Sequence, residues 1–156
     1  MSIEEKVVEL LTEKNYHISF AESCTAGLCS SRLVNVANAS KVFNAAFTTY
    51  SNESKVKYIG VNPETIKEYG VVSESVAEEM ARGVALETES EIGVGVTGIA
   101  GPAGGTDTKP VGMVCFGFYV NGEVKTFTQN FGNIGRQEVR NASCAFVFVT
   151  LLDLLK

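Results

Sequence analysis

Short apolar segments alternate with helical patterns through the first hundred residues, and then the alternation stops. His17–Ala21, Val42–Ser51 and Ile92–Thr97 read as strands, each separated from the next by amphipathic helical stretches. After a glycine-rich interval, Gly112–Val120 and Glu123–Asn130 flank the dipeptide Asn121-Gly122, a strong two-residue hairpin signal. Helices between strands imply parallel crossovers, and a hairpin implies antiparallel pairing. The expected fold is therefore α/β: a three-layer α/β/α sandwich with a mixed sheet, a C-terminal hairpin and a long final helix.

The helix boundaries carry their own chemistry. Ser2 and Glu5 form a capping-box pattern ahead of Ile3, Val7, Leu10 and Leu11, which share one face of a helix ending near Asn15. A second helix is expected over Thr25–Val36, and a short one over Glu53–Ile59, with Asn52 as its cap and Gly60 as its stop. Asn62-Pro63 places a cap and a first-turn proline before a helix that ends at Gly70. Ser73 caps the next, whose buried stripe is Val76, Ala77, Met80, Ala81, Val84 and Ala85. Arg136–Lys156 is a long helix, nearly all apolar in its second half, which suits a central core helix or a subunit interface.

With 156 residues and 45% hydrophobic content, the chain is expected to form one domain over 1–156. The net charge of −5 argues against non-specific nucleic-acid binding, while leaving room for a small anionic ligand in a locally positive pocket. The longest apolar run, Cys144–Leu152, is too short to span a bilayer. Four dispersed cysteines without a CxxC pattern, one histidine and no opening signal peptide point to a reduced, metal-free, cytoplasmic protein.

In an open α/β sheet, ligands gather at the C-terminal ends of strands. Three chemically unusual stretches fall there. Ala21-Glu22-Ser23-Cys24-Thr25-Ala26-Gly27 places hydroxyls and a glycine where a strand turns into a helix. Ser23 is a nucleophile candidate, with nearby helix-start N–H groups available to an anion or oxyanion. Spacing alone favours the simpler role, in which Ser23 or Thr25 caps the helix. Tyr50-Ser51-Asn52-Glu53-Ser54-Lys55 offers a phenol and an amine. Burial can turn a lysine into a general base, but Lys55 and Lys57 read on spacing as solvated charges.

The third stretch is Thr97-Gly98-Ile99-Ala100-Gly101-Pro102-Ala103-Gly104-Gly105-Thr106. It suits a backbone cradle for phosphate or carboxylate, or equally a flexible surface loop. Gly93-Val94-Gly95-Val96-Thr97-Gly98 matches G-x-G-x-x-G, yet its glycines lie within a strand and no helix follows, so it is not a dinucleotide fingerprint. Arg136 and Arg140 share one helix face, able to hold an anion or, more simply, a surface carboxylate.

Taken together, Ala21–Thr25, Tyr50-Ser51-Asn52 with Lys55, Val96–Pro102 and Lys109-Pro110-Val111-Gly112 resemble the CinA C-terminal domain family, which includes nicotinamide-nucleotide amidases. The resemblance runs through essentially the whole chain, in order. It implies hydrolysis of the carboxamide of nicotinamide mononucleotide (NMN) to nicotinate mononucleotide and ammonia, in pyridine-nucleotide recycling, without metal or other cofactor. It further implies Ser23 as nucleophile, Lys55 as general base and Tyr50 as a positioning or relay group. Thr25, Gly27, Thr97, Gly98, Gly101, Gly104, Gly105 and Arg136 would bind the substrate. Family members usually form homodimers or higher homo-oligomers, and many carry a further N-terminal domain linked to nucleotide pyrophosphatase activity. Two departures stand out. Ala26 replaces a usual glycine, and Ile134-Gly135-Arg136 replaces a usual Gly-Asp-Arg, which leaves as alternatives a catalytically weak paralogue that only binds nucleotides and a Ser–Lys amidase for another small amide.

Overall fold

The computed structural model describes residues 1–156. Five strands form one sheet in the order β2-β1-β3-β4-β5. These are β1 (Ile18–Glu22), β2 (Phe43–Thr48), β3 (Ile92–Gly98), β4 (Met113–Val120) and β5 (Glu123–Asn130). β1 pairs in parallel with both β2 and β3, whereas β4 runs antiparallel to β3 and β5. The mixed α/β architecture expected from the alternation is therefore present, hairpin included. Asn121 and Gly122 both adopt positive φ, as a tight primed turn requires.

Helices α1 (Ile3–Lys14), α2 (Leu28–Val34) and α6 (Arg136–Leu155) pack on one face of the sheet. On the other lie α3 (Asn52–Ile59), α4 (Pro63–Tyr69) and α5 (Glu74–Glu87). The larger core joins Val7, Leu11, Phe20, Val94, Phe116 and Phe148 between the sheet and α1, α2 and α6. Its apolar strand and helix faces exclude water together, the dominant favourable term in folding. The apolar C-terminal half of α6 is accounted for here: Cys144, Val147, Phe148, Leu151 and Leu155 are buried in this core. No helix is long and apolar enough to cross a membrane.

The opposite face is built on smallness. In register across the sheet, Ser19 lies beside Gly93, Ala21 beside Gly95, and Gly95 beside Gly117. Against them α5 presents Ala77, Ala81 and Ala85, spaced four apart on one helix face. A Cβ at Gly95 would stand 2.6 Å from the Ala77 carbonyl oxygen, and one at Gly117 would stand 2.3 Å from the same atom. The glycines of the apparent dinucleotide motif thus let a helix lie close on the sheet.

Local boundaries differ from expectation where backbone chemistry intervenes. The cap of α3 is Ser51 rather than Asn52: its hydroxyl accepts from the Ser54 N–H. β2 ends at Thr48, so Thr49–Ser51 form the turn into α3. The second helix begins at Leu28 instead of Thr25, and residues 23–27 form a turn. Neither Ser23 nor Thr25 caps it; Gly27 occupies the cap position with φ 93° and no side-chain cap bond.

Candidate active site

The turn after β1 is held open by Glu22. This fully buried carboxylate accepts from the backbone N–H groups of Cys29 (2.9 Å) and Ser30 (3.0 Å) and from the Ser30 hydroxyl. It therefore does for α2 what a capping side chain normally does, from six residues before the first helical position. The first-turn N–H groups expected to receive an anion are consequently occupied. Sequence reasoning passed over Glu22, because a glutamate at a strand end ordinarily reads as a solvated charge.

With the helix start satisfied, Ser23 projects beside Lys55. Lys55 Nζ lies 3.0 Å from Ser23 Oγ, 2.6 Å from the Thr49 carbonyl oxygen and 3.2 Å from that of Tyr50. The lysine is completely buried, contrary to its reading as a solvated helix charge, whereas Lys57 is exposed. Burial brings the Lys55 amine from 10.5 down to about 8. A neutral amine has two N–H donors and one lone pair. The ammonium form donates to all three oxygens; once a proton is lost, the two N–H groups can keep the carbonyls and the lone pair is left for the Ser23 hydroxyl.

A cleft of about 290 Å³ opens over this pair at the C-terminal ends of β1, β2 and β3. Its walls include Ser23, Cys24, Tyr50, Asn52, Lys55, Thr97, Gly98, Gly101, Gly104 and Arg136. All three unusual sequence stretches thus meet in one crevice. Thr97 Oγ1 donates to the Val71 carbonyl (3.0 Å), drawing the α4–α5 connection in as another wall. Lys109 Nζ ties the same connection to the glycine loop by donating to the Tyr69 and Val72 carbonyls.

Arg136 bridges the cleft mouth. Its guanidinium donates to the Gly101 carbonyl (2.7 Å) and the Tyr50 phenol oxygen (3.0 Å). The phenol is thus engaged with Arg136, and it is the Tyr50 main-chain carbonyl that contacts Lys55. Thr25, Gly27 and Gly105 do not line the cleft. Thr25 is fully buried, its hydroxyl has no partner, and its carbonyl accepts from Arg140. Arg140 itself turns away from the surface carboxylate expected of it, onto the backbone of the Ser23 turn.

The two departures from the family pattern lie outside the cleft. Ala26 is exposed, with φ 47°, and does not line the cleft. Gly135 caps α6 without a side-chain bond, and Arg136 still reaches the cleft.

Cys24 lines the cleft beside Ser23, but burial drives its thiol up to about 12 and so disfavours the thiolate. The grouping with metal-ligand atoms is Glu22, Cys29 and Cys144, all buried and within 4.8 Å. Both Glu22 oxygens already accept hydrogen bonds there, and the two sulfurs touch at 3.0 Å.

Comparison with known proteins agrees with this architecture. The CinA-like protein of Kosmotoga olearia is 50% identical over 93% of the chain, and that of Dictyoglomus turgidum is 45% identical over 99%. The chain spans 35% and 36% of those two relatives. Among solved structures, the competence/damage inducible protein CihA from Agrobacterium tumefaciens matches with a TM-score of 0.94 at 37% identity, covering 100% of both chains. The competence or damage-inducible protein from Enterobacter asburiae matches with a TM-score of 0.95 at 32% identity, over 99% of this chain and 96% of that one. The CinA C-terminal domain model covers residues 1–155, the stretch that builds both the sheet and the serine–lysine cleft, and the chain belongs to the CinA C-terminal domain family.

Proposed function

We propose that this chain is a serine–lysine amidohydrolase that converts NMN to nicotinate mononucleotide and ammonia. The observation carrying this reading is the 3.0 Å contact between Ser23 Oγ and a buried Lys55 amine brought down to about 8. Such a pair supplies an activated hydroxyl in a chain whose single histidine, His17, lies at the opposite end of β1.

In the first half-reaction, Ser23 Oγ bonds to the carboxamide carbon and its proton passes to Lys55 Nζ. The tetrahedral oxygen takes the negative charge. The C–N bond then breaks, Lys55 returns the proton to nitrogen, and ammonia departs. In the second half-reaction Lys55 takes a proton from water, the hydroxide adds to the ester carbon, and Ser23 leaves with that proton. The balance is one water consumed and one ammonia released for each carboxamide converted to an acid.

Arg136 and the glycine loop supply cationic and backbone groups suited to the nucleotide's phosphate at the cleft mouth. Conversion of NMN would serve pyridine-nucleotide recycling. A chain that only binds nucleotides is the reading that the departures at Ala26 and Gly135 favour, and neither residue lines the cleft.

The test is ammonia release from NMN by the purified chain and its Ser23→Ala variant, both with a chelator present. Release that depends on Ser23 and persists with the chelator is the expected result. Release at the parent rate from Ser23→Ala would overturn the mechanism. NMN-dependent stabilisation of the parent without release would leave a nucleotide-binding protein.

A further inference from the structure

Arg136 and Arg140 lie one helical turn apart on α6, and only Arg136 lines the cleft. Arg140 reaches instead behind the nucleophile turn. Its Nε donates to the Cys24 carbonyl oxygen at 2.9 Å, and a terminal nitrogen donates to that of Thr25 at 3.1 Å. These carbonyls belong to the two residues that directly follow Ser23.

The N–H groups of the same turn divide into two sets. That of Ser23 donates to Val96, and that of Ala26 donates back to the Ser23 carbonyl. Those of Cys24, Thr25 and Gly27 have no acceptor within the protein, and of these three residues only Cys24 lines the cleft. The Cys24 N–H directly follows the residue whose hydroxyl contacts the buried amine.

Cys24 carries its free N–H on one side and, on the other, the carbonyl that Arg140 holds. The two Arg140 bonds fix the planes of peptides 24–25 and 25–26 against rotation, and so hold the Cys24 backbone between them and Ser23. Donors that hold their orientation before the charge arrives are the ones that stabilise a developing oxyanion most.

We propose that Arg140 is a positioning residue, which fixes the Cys24–Thr25 turn so that the free Cys24 N–H receives the negative oxygen formed when Ser23 adds to a trigonal centre. The inference rests on Ser23 acting as a nucleophile, and it does not depend on NMN being the substrate.

An arylboronic acid probes this directly. Ser23 Oγ adds to the trigonal boron, the proton passes to Lys55, and boron carries the negative charge with no group lost. Affinities for phenylboronic acid and for nicotinate mononucleotide, which requires no tetrahedral centre, are measured on the parent, Arg140→Gln and Arg140→Lys, alongside the melting temperature of each. Boronate affinity is expected to fall about tenfold in Arg140→Gln, with nicotinate mononucleotide binding within about twofold of the parent and partial recovery in Arg140→Lys. Boronate affinity unchanged in folded Arg140→Gln would overturn the proposal. So would equal losses of both ligands alongside a lowered melting temperature, or failure of both variants to fold, since these assign Arg140 to the fold alone. A parent that takes no boronate on Ser23 would overturn it as well. A parent that takes boronate on Ser23 but releases no ammonia from NMN would remove the substrate reading, and the variant affinities would still decide the role of Arg140.

Discussion

Lys55 Nζ stands 3.0 Å from Ser23 Oγ, and its other two partners are the main-chain carbonyls of Thr49 and Tyr50. None of the three is an acid. Nothing in contact with the amine therefore favours its charged form as a carboxylate would, and burial sets its protonation.

Activity should rise with pH. In the proposed mechanism the neutral amine accepts the Ser23 proton, and that form dominates above about 8. The rate of ammonia release at low NMN should climb through a single limb centred near that value and then level off. A limb centred near 10.5, the ordinary lysine value, would mean that Lys55 is not the titrating base.

The same shift links pH to folding. The unfolded chain keeps its Lys55 proton up to 10.5, and the folded chain only up to about 8. Between those values the unfolded state binds more protons, so this residue makes the fold progressively more stable as pH rises. Below about 8 both states are protonated, and the cost of the buried charge is fully present. Replacing Lys55 with methionine should therefore raise the urea midpoint at pH 7, with a smaller gain at pH 10.5. A constant difference across this range would count against a depressed amine.

Ala26 holds a left-handed conformation, φ 47°, on an exposed turn. An L-residue is strained there and glycine is not. Ala26→Gly should stabilise the fold by about 1 kcal/mol and leave the proposed ammonia release close to the parent's, because Ala26 does not line the cleft. Chemical denaturation beside a rate assay checks both halves.

Gly95 is required by the approach of α5. An added methyl would meet the Ala77 carbonyl at 2.6 Å and the Ala81 nitrogen at 2.8 Å. Both atoms are backbone, so relief demands movement of the helix or the strand. Gly95→Ala should cost about 1–3 kcal/mol, the usual range for overpacking, read as a lowered denaturation midpoint. A loss confined to ligand affinity, with stability intact, would instead restore a ligand role to this glycine motif.

All four thiols should be slow to react in the native protein. Each is buried, and burial raises the thiols of Cys24, Cys29 and Cys115 above their ordinary value. Titration with an aromatic disulfide reagent near pH 8 should count four thiols promptly in denaturant and none promptly without it. Rapid native labelling of Cys24 would show that the cleft admits a thiolate beside Ser23.

The sequence by itself determined the order and type of the elements. Apolar alternation, capping residues such as Ser2, Asn62 and Ser73, and the Asn121-Gly122 turn are local signals, and local physics decides them. It also identified the three stretches that line the cleft, because strand C-terminal ends in such a fold converge. Only the tertiary structure decided what each polar side chain does there. Lys55 reads as a solvated charge until β1 and the Thr49–Ser51 turn enclose it. Glu22 has no legible role until α2 rests on its carboxylate, and Arg140 reads as a surface cation until α6 brings it to the Cys24 and Thr25 carbonyls. Hydrogen bonding and desolvation depend on partners as many as 116 residues away along the chain, and spacing in sequence carries no record of those distances in space.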